Sequence, residues 1–330
     1  MKPLRAAVVG AGHLGNFHAQ KYCRSTATRL AAVVDVIPAR AHQIARHSNA
    51  RVYSDHRRLS GQVDIASVTV PTVHHYNVVR DLLEAGIHVL VEKPFTATLA
   101  EGRDLLALSE SVNRILQVGH IEQFNAVTRA IRQHIDEPMF IESCRISPFQ
   151  LRGTDVNVVL DLMIHDIDLI HSLVNAPIRH IHASGGVVLS SQIDIANARI
   201  QFENGCVANV TASRVSKKSE RSMRIFQANS YLSADFIKQT LALYSKSGTV
   251  ITDDIDPESI LSTSVKISPG DALEAEIDDF VGSVQTGRAP LVSGREGLQA
   301  LEIAFDIMRQ LESNPLPGQR PRLHVAGAGS

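Results

Sequence analysis

Cysteine is scarce in this chain: Cys23, Cys144 and Cys206 are its three thiols, far apart and without a C-x-x-C pair. An odd number so spaced argues against both a disulfide framework and a zinc site, and is expected of reduced thiols in a cytoplasm. Net charge is nearly absent as well, since 33 Lys and Arg stand against 34 Asp and Glu, a formal −1. No global field therefore draws the molecule to nucleic acid or to an anionic membrane, and binding has to come from a local site. Long apolar runs are missing too. The first one, after Lys2 and Arg5, breaks at Gly10, too early for a secretory signal, and no later stretch is long enough to span a bilayer. Repeats and low-complexity tracts are absent, although Pro315 to Ser330 carries several Gly, Pro and Arg and is expected to be partly loose.

What is present suits a packed globular protein. At 330 residues, with 44% hydrophobic and 20% charged, the chain exceeds the size at which one core keeps growing, so two domains are expected. From Leu4 to about Gly119, short Val- and Ile-rich runs alternate with longer helical patterns. The runs are Ala6 to Val9, Leu30 to Val34, Ile65 to Val70, Val89 to Val91 and Ile115 to Val118. Lacking polar alternation, they read as strands covered on both faces, which is a doubly wound parallel sheet of the Rossmann kind. After Gly119 the rhythm changes. Gly153 to Val174 reads as helix, followed by runs at Ile178 to Leu189, Asp194 to Phe202, Cys206 to Ser213, Met223 to Ala228 and Ala242 to Ser245. Turn signals such as Glu203-Asn204-Gly205 predict hairpins and a mostly antiparallel sheet, and Ala272 to Thr286 and Gly294 to Leu311 return to helix. The boundary falls near residue 120, giving a Rossmann domain over 1–120 and an α+β domain over 121–330.

The first chemistry-bearing motif is Gly10-Ala11-Gly12-His13-Leu14-Gly15, a full G-x-G-x-x-G directly after a strand and opening a helix. Gly10 permits the tight turn, Gly12 lets backbone approach a pyrophosphate, and Gly15 allows close helix-to-strand packing, while the helix N-terminus offers free N–H groups. Asp35 ends the next strand at about the 20-residue separation where a carboxylate accepts from both ribose hydroxyls. It favours NAD. The same charge repels a 2′-phosphate, with Arg40 nearby as a partial offset. The alternative is a set of packing glycines and a capping Asp.

Two further segments suggest a dehydrogenase. Glu92-Lys93-Pro94 follows a strand at the end that faces the ligand crevice, and Pro94 restricts Lys93 to an extended backbone, although a lysine there is often only a solvated charge. In Asp161-Leu162-Met163-Ile164-His165-Asp166-Ile167-Asp168, residues 161, 165 and 168 follow i, i+4, i+7 and share a helical face. A histidine flanked by carboxylates is tuned to take a proton near neutral pH, which alcohol oxidation requires. A satisfied core histidine is the competing reading. A metal site is not expected, because one His and two acids is a thin ligand set and His74, His75 and His120 are individually ambiguous.

Together these motifs resemble the glucose-fructose oxidoreductase, inositol dehydrogenase and MocA family, over essentially the whole chain. The resemblance implies that Lys93, Asp161 and His165 form the catalytic group. His165 would be the general base, Asp161 its orienter or a substrate ligand, and Lys93 the donor polarising the reacting oxygen. It extends the cofactor set to His13, Leu14, Glu92 and Lys93, and to Pro71 and His75 of the third-strand loop, where Val70 replaces the usual Thr. Four local features resemble the subgroup that oxidises the 3-hydroxyl of UDP-N-acetylglucosamine for an aminotransferase making a lipid A diamino sugar. These are His120 to Asn125, Ser147 to Phe149 with Arg152 to Val156, Val159 to Asp166, and Thr211 to Ser216. One departure is Gln123, where related members often carry Arg. Substrate contacts are thus expected from His120, Gln123, Asn125, Asp161 and His165. A pyrophosphate would suit the guanidinium forks of Arg145, Arg152, Arg214 and Arg221, in the last two cases within a basic strand-turn-strand that also holds Lys217, Lys218 and Arg224. Such a cluster is equally readable as a solvated turn. A homo-dimer or homo-tetramer is implied by analogy. The rival readings are a dehydrogenase of another polyol, such as inositol, an aldose or a UDP-sugar acid, and a regulator that binds the dinucleotide without turnover.

Overall fold

The computed structural model describes residues 2–46, 48–149, 157–246 and 260–313. Expectations for Arg152, for Gly153 to Val156 and for Pro315 to Ser330 lie outside the described residues. The chain forms two compact units, residues 2–134 with Lys266–Glu302, and residues 135–265 with 303–313.

In the first unit six parallel strands are joined by crossovers: β1 (Leu4–Val9), α1 (His13–Arg24), β2 (Thr28–Val34), α2 (Pro38–Ala45), β3 (Arg51–Tyr53), β4 (Ile65–Val68), α3 (His75–Glu84), β5 (His88–Glu92), α4 (Leu99–Ser111) and β6 (Leu116–Gly119), with α5 (Ala126–Arg132) after them. Their order is β3-β2-β1-β4-β5-β6, so the strand order reverses between β1 and β4, and a crevice is expected beyond their carboxyl ends. Ala6, Ala7, Val8 and Val9 are all buried, as a strand covered on both faces must be. Local chemistry sets the helix ends. Thr98 and Glu101 form a reciprocal capping box at α4, the Thr98 hydroxyl accepting from Glu101 N–H and the Glu101 carboxylate from Thr98 N–H.

The second unit is built on eight strands: β7 (Phe140–Pro148), β8 (Ile178–Gly186), β9 (Ile195–Phe202), β10 (Val207–Ser216), β11 (Glu220–Phe226), β12 (Ser230–Asp235), β13 (Thr240–Lys246) and β14 (Ile260–Val265). They run in the order β14-β13-β12-β11-β7-β10-β9-β8, antiparallel except for the β7–β10 pair. Between β7 and β8 a five-residue π turn, Val159–Met163, leads into α6 (Ile164–Val174). Asn157 starts this segment, its Oδ1 accepting from the Val159 and Leu160 amides. Burial alternates along β9: Ala196, Ala198, Ile200 and Phe202 turn inward, and Ile195, Asn197, Arg199 and Gln201 outward. The turn at Glu203-Asn204-Gly205 joins β9 to β10 as a hairpin, Gly205 adopting φ +90°.

Two helices close the described chain, α7 (Ala272–Thr286) and α8 (Gly294–Ser313). Ile277, Phe280 and Val281 of α7 lie in the same core cluster as Ala6 and Val8 of β1 and Leu30 and Val33 of β2. Among the described residues no helix is long and apolar enough to cross a membrane. All three cysteines are free.

Candidate active site

The glycine loop joins β1 to α1. Gly10 has φ +101°, a conformation that resists any L side chain, and a Cβ there would meet the Thr69 carbonyl carbon at 2.7 Å. At Gly15 a Cβ would fall 1.9 Å from the Gly10 carbonyl oxygen, so helix and loop are in backbone contact. Gly12 differs, because nothing lies within 4 Å of its Cβ position. The loop therefore leaves open space over the start of α1, where the first N–H groups of a helix lack intrahelical partners, and that cradle fits a pyrophosphate. His13 and Leu14 are exposed in the first turn of α1, with His13 edge-on to Phe17 at 4.8 Å.

Asp35 sits just past β2, half-buried. Its Oδ2 accepts from Ala11 N–H at 2.7 Å and its Oδ1 from Ile37 N–H at 2.8 Å, which fixes the carboxylate beside the glycine loop. Arg40 is exposed in α2. Pro71 is exposed and precedes a 3-10 turn, Thr72–His74. His75 is buried, its Nε2 facing the Val70 carbonyl at 2.9 Å and its Nδ1 the Pro94 carbonyl at 3.0 Å. Burial pushes its pKa down against the pull of those carbonyls. In this position His75 ties the loop after β4 to the loop after β5.

Glu92 is the last residue of β5, and Lys93 follows it, half-buried, joined to Pro94 by a cis peptide. The Glu92 carboxylate accepts from His18 Nε2 at 2.9 Å and rests on Gly119, where a Cβ would come within 3.1 Å of Oε2. His18 was not among the residues singled out above, although it lies in the fourth position after Leu14. His120 follows β6 and is buried. Gln123 is buried and its side chain takes a hydrogen bond from Arg132, while Asn125 caps α5 by accepting from Val127 N–H at 3.0 Å. Gly10, Asp35, Pro71, Glu92, Lys93 and His120 thus all sit on the carboxyl edge of the parallel sheet.

In the second unit Asp161 lies in the π turn and His165 in the first turn of α6, both half-buried, whereas Asp168 is buried. Such one-turn π segments recur at functional sites. Beside them Arg145 of β7 is 3% exposed, its Nε donating to Asp166 Oδ2 at 2.7 Å and its Nη2 to Asp166 Oδ1 at 3.2 Å. Arg214 of β10 is also buried. Its Nε donates to Asp194 Oδ1 at 2.9 Å, and the other Asp194 oxygen accepts from the Val188, Leu189 and Ser190 amides. Burial alone would push the Asp194 carboxyl up, but the Ser190 hydroxyl, donating to Oδ1 at 2.6 Å, together with the three amides holds it well below the usual carboxylate range. Both arginines therefore serve buried carboxylates of their own unit. Arg221 is exposed on β11 in register with Arg145, and Arg224 pairs with Glu142 on the surface. Among the described residues no group of three or more His, Cys, Asp or Glu is arranged to hold a metal ion.

Comparison with known proteins gives this geometry a lineage. Residues 4–120 match the oxidoreductase family with an NAD-binding Rossmann fold, and residues 114–232 match the GFO/IDH/MocA C-terminal domain. The chain is also 34% identical over 311 residues to the UDP-N-acetylglucosamine 3-dehydrogenase of Acidithiobacillus ferrooxidans, covering 94% of this chain and 98% of that one. The chain belongs to the GFO/IDH/MocA family. As a member it is an NAD-dependent dehydrogenase, and the open space over Gly12 beside the Asp35 carboxylate fits such a cofactor. A solved structure of the Acidithiobacillus ferrooxidans enzyme superposes with a TM-score of 0.89, covering 95% of this chain and 99% of the other. A more distant relative is the scyllo-inositol 2-dehydrogenase (NAD(+)) of Bacillus subtilis, 26% identical with 92% of each chain covered.

Proposed function

We propose that this dehydrogenase oxidises the 3-hydroxyl of UDP-N-acetylglucosamine to the 3-ketone. The observation that carries the reading is end-to-end likeness to an enzyme of that name, at 34% identity over 94% of this chain. The product would supply an aminotransferase that builds a diamino sugar for lipid A, in the cytoplasm.

In this reading Lys93, Asp161 and His165 serve one sugar hydroxyl. NAD, when bound, supplies the acceptor for the hydride that leaves carbon 3. His165 takes the hydroxyl proton as the carbon–oxygen double bond forms, so that carbon loses a hydride and oxygen a proton. Asp161, one helical turn earlier, orients the imidazole and stabilises its charged form. Lys93 donates to the reacting oxygen, resisting charge build-up there. Arg221, exposed near the start of β11, is the arginine assigned to the pyrophosphate in this reading.

The test is purified protein with NAD and either UDP-N-acetylglucosamine or myo-inositol, followed by nicotinamide reduction with an aminotransferase present to pull the equilibrium. Turnover of the nucleotide sugar is expected. His165→Asn and Lys93→Met should each lower it by about 10²- to 10⁴-fold with NAD binding retained. Turnover of myo-inositol alone would move the assignment to the inositol dehydrogenases, and near-normal rates in His165→Asn would remove it as the base.

We also propose that copies of the chain associate through one face of the eight-stranded sheet. That face carries a row of half-buried rings, Phe140, Phe226, Tyr231 and Tyr244, crossing β7, β11, β12 and β13 with successive centroids 6.1, 5.4 and 4.3 Å apart. A dimer or tetramer would bury it.

A further inference from the structure

Inside the first unit Tyr22, Ser67, His18 and Glu92 form one continuous hydrogen-bonded row. Tyr22 hydroxyl to Ser67 Oγ is 2.7 Å, Ser67 Oγ to His18 Nδ1 is 3.0 Å, and His18 Nε2 to Glu92 Oε1 is 2.9 Å. His18 and Tyr22 lie i, i+4 on α1, Ser67 is on β4 and Glu92 ends β5. The first three are buried, and Glu92 alone reaches the edge of the cofactor crevice.

Counting hydrogens gives the row a direction. The Tyr22 hydroxyl hydrogen needs an acceptor in a dry core, and Ser67 Oγ is the one it has. Ser67 then gives its own hydrogen to His18 Nδ1, which must accept. The imidazole hydrogen therefore sits on Nε2 and points at Glu92. If Nδ1 donated instead, either Ser67 Oγ would accept from both neighbours and its own hydrogen would lack a partner, or it would donate to Tyr22 and the phenol hydrogen would lack one. A neutral Glu92 carboxyl would either force that reversal or leave Nε2 donating to an uncharged carbonyl, giving up a charge-assisted bond.

We propose that Tyr22, Ser67 and His18 are positioning residues for the cofactor. They form a one-way hydrogen-bond row that keeps Glu92 an ionised, acceptor-only carboxylate at the mouth of the crevice, its second oxygen ready for a hydroxyl donor of bound NAD. The electrostatics agree. Burial would push the Glu92 carboxyl up, but the hydrogen bond from His18 and the nearby Lys93 charge outweigh it and hold the group below the ordinary range. At the far end burial, with the charge of Glu276 on α7 adding to it, keeps the Tyr22 phenol protonated.

The inference depends on the cofactor and not on the sugar, so its test needs NAD alone and is independent of the substrate assignment. The full chain, labelled with ¹³C at glutamate carboxyls, is titrated by NMR, the Glu92 signal being identified by its loss in Glu92→Gln, and NAD affinity is measured across the same pH range. Tyr22→Phe keeps the ring and deletes only the hydroxyl. It should move the Glu92 titration upward and weaken NAD binding at the acid end, with affinity recovering as pH rises. His18→Leu should do more, with a loss of about tenfold in affinity, and His18→Gln, whose amide can donate, should recover part of it. An unchanged Glu92 titration in Tyr22→Phe, or ¹⁵N signals placing the His18 hydrogen on Nδ1, would overturn the inference, leaving the row as packing.

Discussion

Gly12 and Gly15 stand three residues apart in one loop, yet a methyl group at each meets opposite surroundings. Gly15→Ala drives Cβ into the Gly10 carbonyl and should lower the melting temperature as well as abolish NAD binding. Gly12→Ala meets no protein atom, so it should melt like the parent and lose affinity only for the dinucleotide. Equal effects of the two on melting would contradict the reading of Gly12 as a ligand-facing position. The glycines were legible in the sequence because their spacing encodes backbone geometry directly. Arg145 and Arg214 were not, since a basic residue looks the same on paper whether it awaits a phosphate or already holds Asp166 or Asp194. His18 escaped for a related reason: its partners Ser67 and Glu92 lie on two strands distant in sequence from α1, and only folding brings them within reach.

Among the elements, β5 carries an internal pH sensor of stability. His88 opens this strand and its Nδ1 accepts from Ile115 N–H at 2.8 Å, which demands an unprotonated nitrogen. Burial, helped by the nearby Arg114 charge, pushes its pKa down to about 4. A base depressed in the folded state favours folding above its ordinary pKa near 6.5. That contribution fades as pH falls from there towards 4, where the native imidazole also protonates. The full effect is at most about 3 kcal/mol and smaller for a half-buried ring. Denaturant midpoints measured from pH 7 to pH 4 should fall, and His88→Asn should flatten that slope. A parallel slope in the variant would assign the acid sensitivity elsewhere. The same strand was plain from sequence as Val89 to Val91, whereas β7 was not, because two of its inward positions are Ser143 and Arg145, which pair with Asp166 inside. The π turn at Val159–Met163 likewise leaves no mark in a heptad-like pattern.

For the molecule as a whole, the doubly wound sheet and the antiparallel sheet follow from the change in hydrophobic rhythm near residue 120. Strand order within each sheet does not follow from it, and neither does the parallel placement of β10 beside β7, because both depend on contacts between distant segments. If the ring row is an interface, sedimentation should give a mass above one chain, and Tyr231→Asp with Tyr244→Asp should reduce it to the monomer while NAD still binds. A parent chain that sediments as a monomer would remove the proposal. The seating of Ile277, Phe280 and Val281 in the same core as β1 and β2 has its own consequence for synthesis. A ribosome releases the glycine loop early, but the hydrophobic interior behind it stays unfinished until the codons for α7 have been read. A nonsense mutation anywhere before residue 281 should therefore leave no stable cofactor-binding remnant in the cell, only a fragment marked for proteolysis.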